Sequence, residues 1–174
     1  DHGVAVLAFG ARESKPAEYL YEEHPAVMTL LEMDEKLRAG DPCIETAENI
    51  VFIQCVGSRN QERPYCSRVC CTNAIKNALT LKESRPDTNI CVLYRDIRTY
   101  GKREDLYREA RHRGILFFRY DPADKPQVSP NGSRLAINFN DAILGRKLAV
   151  NADILCLAAG IVPYEDRSLS RLFK

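Results

Sequence analysis

The chain holds 174 residues, with 25 Lys and Arg against 24 Asp and Glu, for a net charge of +1. That length supports one domain with a substantial core and a small appendage, and the balanced, interspersed charge excludes the one-signed field that nucleic acid or an anionic membrane attracts. No apolar run approaches the roughly 20 residues of a membrane span, no signal-peptide pattern is evident, and the opening on Asp1 rather than Met is expected of a piece cut from a longer protein.

Residues 3–10, G-V-A-V-L-A-F-G, read as a buried strand ending in a glycine turn. Residues 13–25 are polar and punctuated by Pro16 and Pro25, which makes them a crossover. Thr29 and Glu32 then form a T-x-x-E capping box, and Leu30, Leu31, Met33 and Leu37 supply an apolar stripe that ends before Gly40. This predicts a helix of about three turns, with Met28 and Met33 as core filler.

An apolar run at residues 50–53 delivers Cys55 to a polar loop, after which Cys66, Cys70 and Cys71 stand at the start of a segment with helical character, giving C-x10-C-x3-C-C. Strands at 50–55 and 89–94 flank that helix as β-loop-α-β, the start of a parallel nucleotide-type sheet. Residues 101–113 form a charged surface helix stopped by Gly114, and 115–120 a third strand. Pro122, Pro126, Pro130 and the turn Asn131-Gly132 leave 127–129 short and extended. Short strands follow at 135–140 and 146–150, then a last strand at 153–157 and a short helix at 165–173.

Seven cysteines, an odd number, fit a reducing cytoplasm and metal ligation better than a secreted disulfide framework. Four thiols within a strand, a loop and one helical turn are costly unless something binds them, because thiolates repel and exposed thiols oxidise. On the helix, Cys66 and Cys70 lie on one face at i and i+4, while Cys71 is rotated by about 100° from Cys70. A wide guest suits that arrangement, and a four-iron cube at a helix N-terminus suits it better than one tetrahedral ion. Structural zinc, for which paired C-x2-4-C knuckles are missing, and a dithiol or disulfide built on Cys70 and Cys71 remain the alternatives.

C-V-G-S-R, Y-C-S-R-V-C-C-T-N-A-I-K-N-A and L-Y-R-D-I-R-T-Y-G resemble the flavin-containing, A-type subunit of heterodisulfide reductase and its relatives. The resemblance runs through nearly the whole chain. It implies an α/β fold: a Rossmann-like three-layer domain with a parallel sheet and an antiparallel β-meander, as in the pyridine-nucleotide domain of thioredoxin-reductase-like flavoproteins. It also implies that Cys55, Cys66, Cys70 and Cys71 ligate a [4Fe-4S] cluster. Residues 3–10 resemble the A-T-G strand of the flavin domain, with Phe9 where that motif has Thr, and A-A-G-I-V-P resembles the second such segment. Residues 1–45 are thus expected to be a flavin-domain edge strand, crossover and linking helix. Residues 46–158 would be the Rossmann-like domain with the cysteines, and 159–174 the return to the flavin domain. Gly10 and Gly160 would lie nearest to FAD, which is held mostly by parts of the protein outside this stretch. The function implied is electron transfer between FAD and iron-sulfur centres, in an oxidoreductase whose partners are the other subunits of such a complex and ferredoxin or hydrogenase-type carriers. The competing readings are a zinc-stapled interaction module and an NAD(P)H-dependent disulfide reductase using Cys70 and Cys71.

A dinucleotide site needs G-x-G-x-x-G after the first strand, whereas this chain offers only Gly57 there, so NADH and NADPH binding is not expected. Arg95, Asp96 and Arg98 are expected to form a salt-bridged loop near the cluster rather than a nucleotide contact. Arg59, Arg63 and Arg68 lie close enough in sequence to offset its charge. Cys43, Cys91 and Cys156 read as buried structural thiols. His2, His24 and His112 have no mutual ligand spacing and take no role.

Overall fold

The computed structural model describes residues 3–4, 6–164 and 167–172. In chain order its elements are β1 (Ala11–Glu13), β2 (Val27–Thr29), α1 (Leu30–Ala39), α2 (Pro42–Thr46), β3 (Asn49–Val56), α3 (Cys70–Ser84), β4 (Asn89–Tyr94), α4 (Glu104–His112), β5 (Leu116–Arg119), β6 (Gln127–Asn131), β7 (Arg134–Asp141), β8 (Arg146–Ala152), β9 (Ile154–Ala159), β10 (Ile161–Pro163) and α5 (Arg167–Leu172).

Five strands form a parallel sheet in the order β2-β9-β3-β4-β5, and β6-β7-β8 form an antiparallel meander. Because both faces of the sheet are covered, its central strands are continuous apolar runs rather than alternating ones. On one face Ile50, Phe52 and Ile154 pack with Ala74, Ile75 and Ala78 of α3. On the other Val51, Ile53 and Leu155 pack with Leu135, Ile137 and Phe139 of the meander. The result is the expected three-layer α/β domain.

The capping box is formed in full: Thr29 Oγ1 accepts from the Glu32 amide and Glu32 accepts from the Thr29 amide. Gly40 closes α1 with a φ of 63°, a left-handed conformation that glycine adopts without a Cβ penalty. The sheet recruits β2, which pairs parallel to β9 upstream of the boundary expected at residue 46. At the N-terminal end of β3, the Asp153 carboxylate accepts from the Glu48 and Asn49 amides at 2.9 and 2.8 Å, pinning the strand starts together.

Three expectations need correction. Residues 3–10, of which Ala5 lies outside the described residues, are not a buried strand, since Val4 and Val6 are 84% and 85% exposed. Apolar character supplies no ladder; among the described residues pairing begins only where β1 meets β10 antiparallel. Cys66 does not share a helical face with Cys70, because α3 begins at Cys70. Cys43 is exposed rather than buried: α2 turns Ile44 into the core and leaves its neighbour, about 100° away, outside. The expected tail helix is present as α5; Glu165, Asp166 and Phe173 lie outside the described residues, as does His2.

Candidate metal centre

In a parallel sheet, ligands bind beyond the carboxyl ends of the strands, at the point where the connections change direction. Here β3 is that point: α3 carries the chain from β3 to β4 on one side, while β9 returns on the other. Cys55 sits at this end of β3, Cys70 and Cys71 open α3, and Cys66 lies in the loop between them.

The strand is deformed to present Cys55. Its pairing with β9 shifts register between Ile53 and Val56, a bulge, and Cys55 itself has a φ of 63°. Arg59 and Arg68 in the following loop are also left-handed, with φ of 56° and 67°. Such conformations cost non-glycine residues about 1–2 kcal/mol each and concentrate where a site over-determines the backbone.

The loop is tied to its surroundings at several points. Val56 O accepts from the Gly160 amide at 2.9 Å, and Ser67 Oγ accepts from the Ile161 amide at 2.8 Å. A Cβ on Gly160 would stand 3.1 Å from Ser58 Cβ and 3.3 Å from Gly57 O, so glycine is needed for this close approach. Gly160 therefore touches the cysteine loop, whereas Gly10 is exposed with a φ of 67°.

Arg59 donates to Asp96 at 2.5 and 3.1 Å and reaches Cys55 Sγ at 3.8 Å, while Arg98 holds Asp96 from the other side at 3.3 Å. Burial would raise the Asp96 carboxyl, but these two guanidiniums outweigh it and hold it below the usual range. Asp96 and Arg98 thus form the salt bridge expected of this loop, whereas Arg95 donates to the Arg59 carbonyl at 3.0 Å and makes no ion pair among the described residues. Arg63 turns to Gly57 O at 3.0 Å, and the Arg68 amide donates to Cys66 Sγ at 3.3 Å.

The thiols of Cys55, Cys66, Cys70 and Cys71 stand within electrostatic range of one another in every pairing. Burial first, then these neighbours, push Cys70 up to about 12; Cys55 and Cys71 are raised for the same leading reason. Cys70 Sγ donates to Ala159 O at 3.5 Å and Cys71 Sγ lies 3.9 Å from Asp96 O. All four are free thiols. Among the described residues no group of three or more His, Cys, Asp or Glu side chains is already drawn together as a metal shell. An all-thiol donor set, partly to fully buried and beside a helix N-terminus with no side-chain cap, fits an iron-sulfur centre in its chemistry.

Two cavities reach the thiols. An open cleft of about 1150 Å³ between α1, α3 and the β1–β10 pair has Cys70 in its wall, and a smaller one of about 230 Å³ includes Cys55, Arg59 and Arg95. The cross-chain clamps by Ser67, Ala159 and Asp96 carried no sequence signal, since each joins segments tens of residues apart.

Fold and site define an α/β domain with the fold seen in thioredoxin-reductase-like proteins, with four cysteines at the carboxyl end of its parallel sheet. Thioredoxin reductase of T. acidophilum superposes with a TM-score of 0.55 at 10% identity, over 88% of this chain and 43% of that one. No protein-family model matches the chain. It is 34% identical over 185 residues to the A-type subunit of the H(2):CoB-CoM heterodisulfide,ferredoxin reductase of Methanothermobacter marburgensis, covering 97% of this chain and 28% of that protein. It is 36% identical over 180 residues to the corresponding A-type iron-sulfur subunit of the CoB--CoM heterodisulfide reductase of Methanocaldococcus jannaschii, covering 94% and 27%. Over this stretch, a little more than a quarter of its relatives' length, the chain belongs to the family of heterodisulfide reductase A-type subunits.

Proposed function

We propose that this chain is the electron-transfer domain of a flavin and iron-sulfur oxidoreductase resembling the A-type subunit of heterodisulfide reductase, with Cys55, Cys66, Cys70 and Cys71 as ligands of a [4Fe-4S] cluster. The observation that carries the reading is the bulge at the end of β3, which holds Cys55 left-handed within electrostatic range of Cys66 and of the two thiols that open α3. Such a cluster supplies one-electron transfer when bound.

The rest is the work of this chain's residues. The raised thiols give up protons on ligation, so the site takes up metal more readily as pH rises. Arg59, braced by Asp96, places a positive charge beside Cys55 and offsets the negative charge of thiolates there. The start of α3 adds its own positive field. Gly160 and Ser67 tie the ligand loop to the strand leading into β10, the segment expected to return to the flavin domain. In this reading residues 1–45 and 159–174 border that flavin domain and FAD lies nearest Gly10 and Gly160. FAD is otherwise bound outside this stretch, and the electron partners are sister subunits with ferredoxin or hydrogenase-type carriers. The relatives' names mention ferredoxin and an iron-sulfur subunit.

The test is loading with iron and sulfide under anaerobic conditions, in the wild type and in four single Cys→Ser variants. A reducible EPR signal in the wild type that each replacement abolishes or alters supports the ligand set. Signals indifferent to Cys70→Ser or Cys71→Ser would remove those two ligands from the proposal.

A further inference from the structure

Folded proteins rarely leave buried polar side chains without a hydrogen bond, and each exception calls for an explanation. Among the described residues such atoms sit on Gln54, Thr72, Thr88, Arg95 and Thr99. Thr88 lies at the far end of the sheet, just before β4 begins. The other four belong to the end that carries the thiols: Gln54 precedes Cys55, Thr72 follows Cys71, and Arg95 and Thr99 flank the Asp96 clamp. Unsatisfied polarity is thus concentrated around one site.

Gln54 is the clearest case. It is 1% exposed, and both its Oε1 and its Nε2 are buried without partners, although its backbone carbonyl is satisfied by the Tyr120 hydroxyl at 2.8 Å. Along β3 Ile50 and Phe52 face α3, and Gln54 follows two residues on, inside the bulge that begins after Ile53 and immediately before Cys55. The start of α3 has Val69 as its N-cap and no side-chain acceptor for its first amides. A leucine at position 54 would fill the same layer without burying two unpaired groups. The amide makes physical sense if something between the strand end and the helix start accepts from it, and Cys55 closes that strand while Cys70 opens that helix.

We propose that the Gln54 carboxamide donates a hydrogen bond to the sulfur of the group held by Cys55, Cys66, Cys70 and Cys71, and thereby raises its reduction potential. Hydrogen bonds to cluster sulfur stabilise the more negative, reduced form, which is why they raise the potential. The inference rests on the iron-sulfur reading above and names a residue that acts on the cluster through one of its sulfurs without ligating iron. Gln54 is a positioning and tuning residue in this scheme. Its oxygen is left free to accept from the uncapped amides of α3.

The experiment compares wild type, Gln54→Met and Gln54→Asn, each loaded anaerobically with iron and sulfide, by EPR-monitored redox titration and by thermal unfolding before loading. Gln54→Met is expected to load as much iron as wild type, to titrate at a lower midpoint potential, and to melt no earlier than wild type when empty. Gln54→Asn, which keeps a shorter amide, should fall between them. Should Gln54→Met fail to fold, pulsed EPR on protein carrying 15N in its glutamine amides, with Gln61→Glu in place so that Gln61 carries no amide label in the cysteine loop, gives the same answer, since a donated bond couples the Gln54 nitrogen to the cluster. Full loading with an unmoved potential, or no nitrogen coupling, overturns this inference alone. A markedly lower melting point of the empty Gln54→Met chain passes the decision to the same nitrogen coupling, whose absence overturns the inference. A wild type that takes up no iron removes the ligand reading and this inference together.

Discussion

Ile50, Val51, Phe52 and Ile53 are each no more than 1% exposed and run in register with strands on both sides, whereas two residues later the same strand shifts register and Cys55 turns left-handed. The first region spends its residues on burial between α3 and the meander. The second carries strained backbone, raised thiols and unpartnered amide groups within one strand end, loop and helix start. Low-strain packing and high-strain presentation are separated by one bulge, so the sheet can hold the rim in place without depending on it. This differs from a small zinc finger, whose folding free energy comes from its metal.

The largest effect should come from the packed region. Phe52→Ala empties a fully buried position of the α3-facing core and is expected to cost about 3–5 kcal/mol in chemical denaturation. A loss below about 1 kcal/mol would mean the two regions are less distinct than their burial implies.

Alkaline titration reads the same contrast through buried thiols. Burial pushes Cys91 up to about 12 and Cys156 well above the usual thiol value of 9.0. A folded-state value above the unfolded one gives stability that is full below about pH 9 and lost as pH rises toward 12. The slope approaches about 1.4 kcal/mol per pH unit for each thiol. Thermal midpoints should fall over that window, and Cys91→Ala should make the fall shallower.

Gly160→Ala places a Cβ against Ser58 and the Gly57 carbonyl, and is expected to cost about 1–3 kcal/mol while loosening the cysteine loop. Hydrogen exchange confined to residues 57–69 would show that the loss is local. Smallest of all, Cys66→Ser should change the stability of the empty chain by less than about 0.5 kcal/mol, since serine can still accept from the Arg68 amide. A large change there would show that the rim supports the fold.

How much of this was legible follows the same division. The capping box of Thr29 and Glu32, the strand Asn89–Tyr94 and the parallel order around β3 were readable, because local periodicity and cap chemistry decide them. Residues 3–10 misled because their composition is that of a strand while pairing depends on a neighbour that sequence does not display. Cys66 misled because its helical-looking surroundings do not show that Arg68 turns left-handed, which delays the start of α3 to Cys70. The four cysteines could be chosen from spacing and family resemblance. The Arg59–Asp96 brace, the Gly160 contact and the isolated amide of Gln54 could not, since each is created by chain segments meeting across the sheet end.

The central claim is that the rim holds a four-iron centre. The most direct measurement is the iron and acid-labile sulfide content of the chain after anaerobic reconstitution and removal of unbound metal. About four of each per chain, with all four rim thiols protected from alkylation, is the predicted result. One zinc ion per chain, or no bound metal with the four thiols freely alkylated, would contradict it.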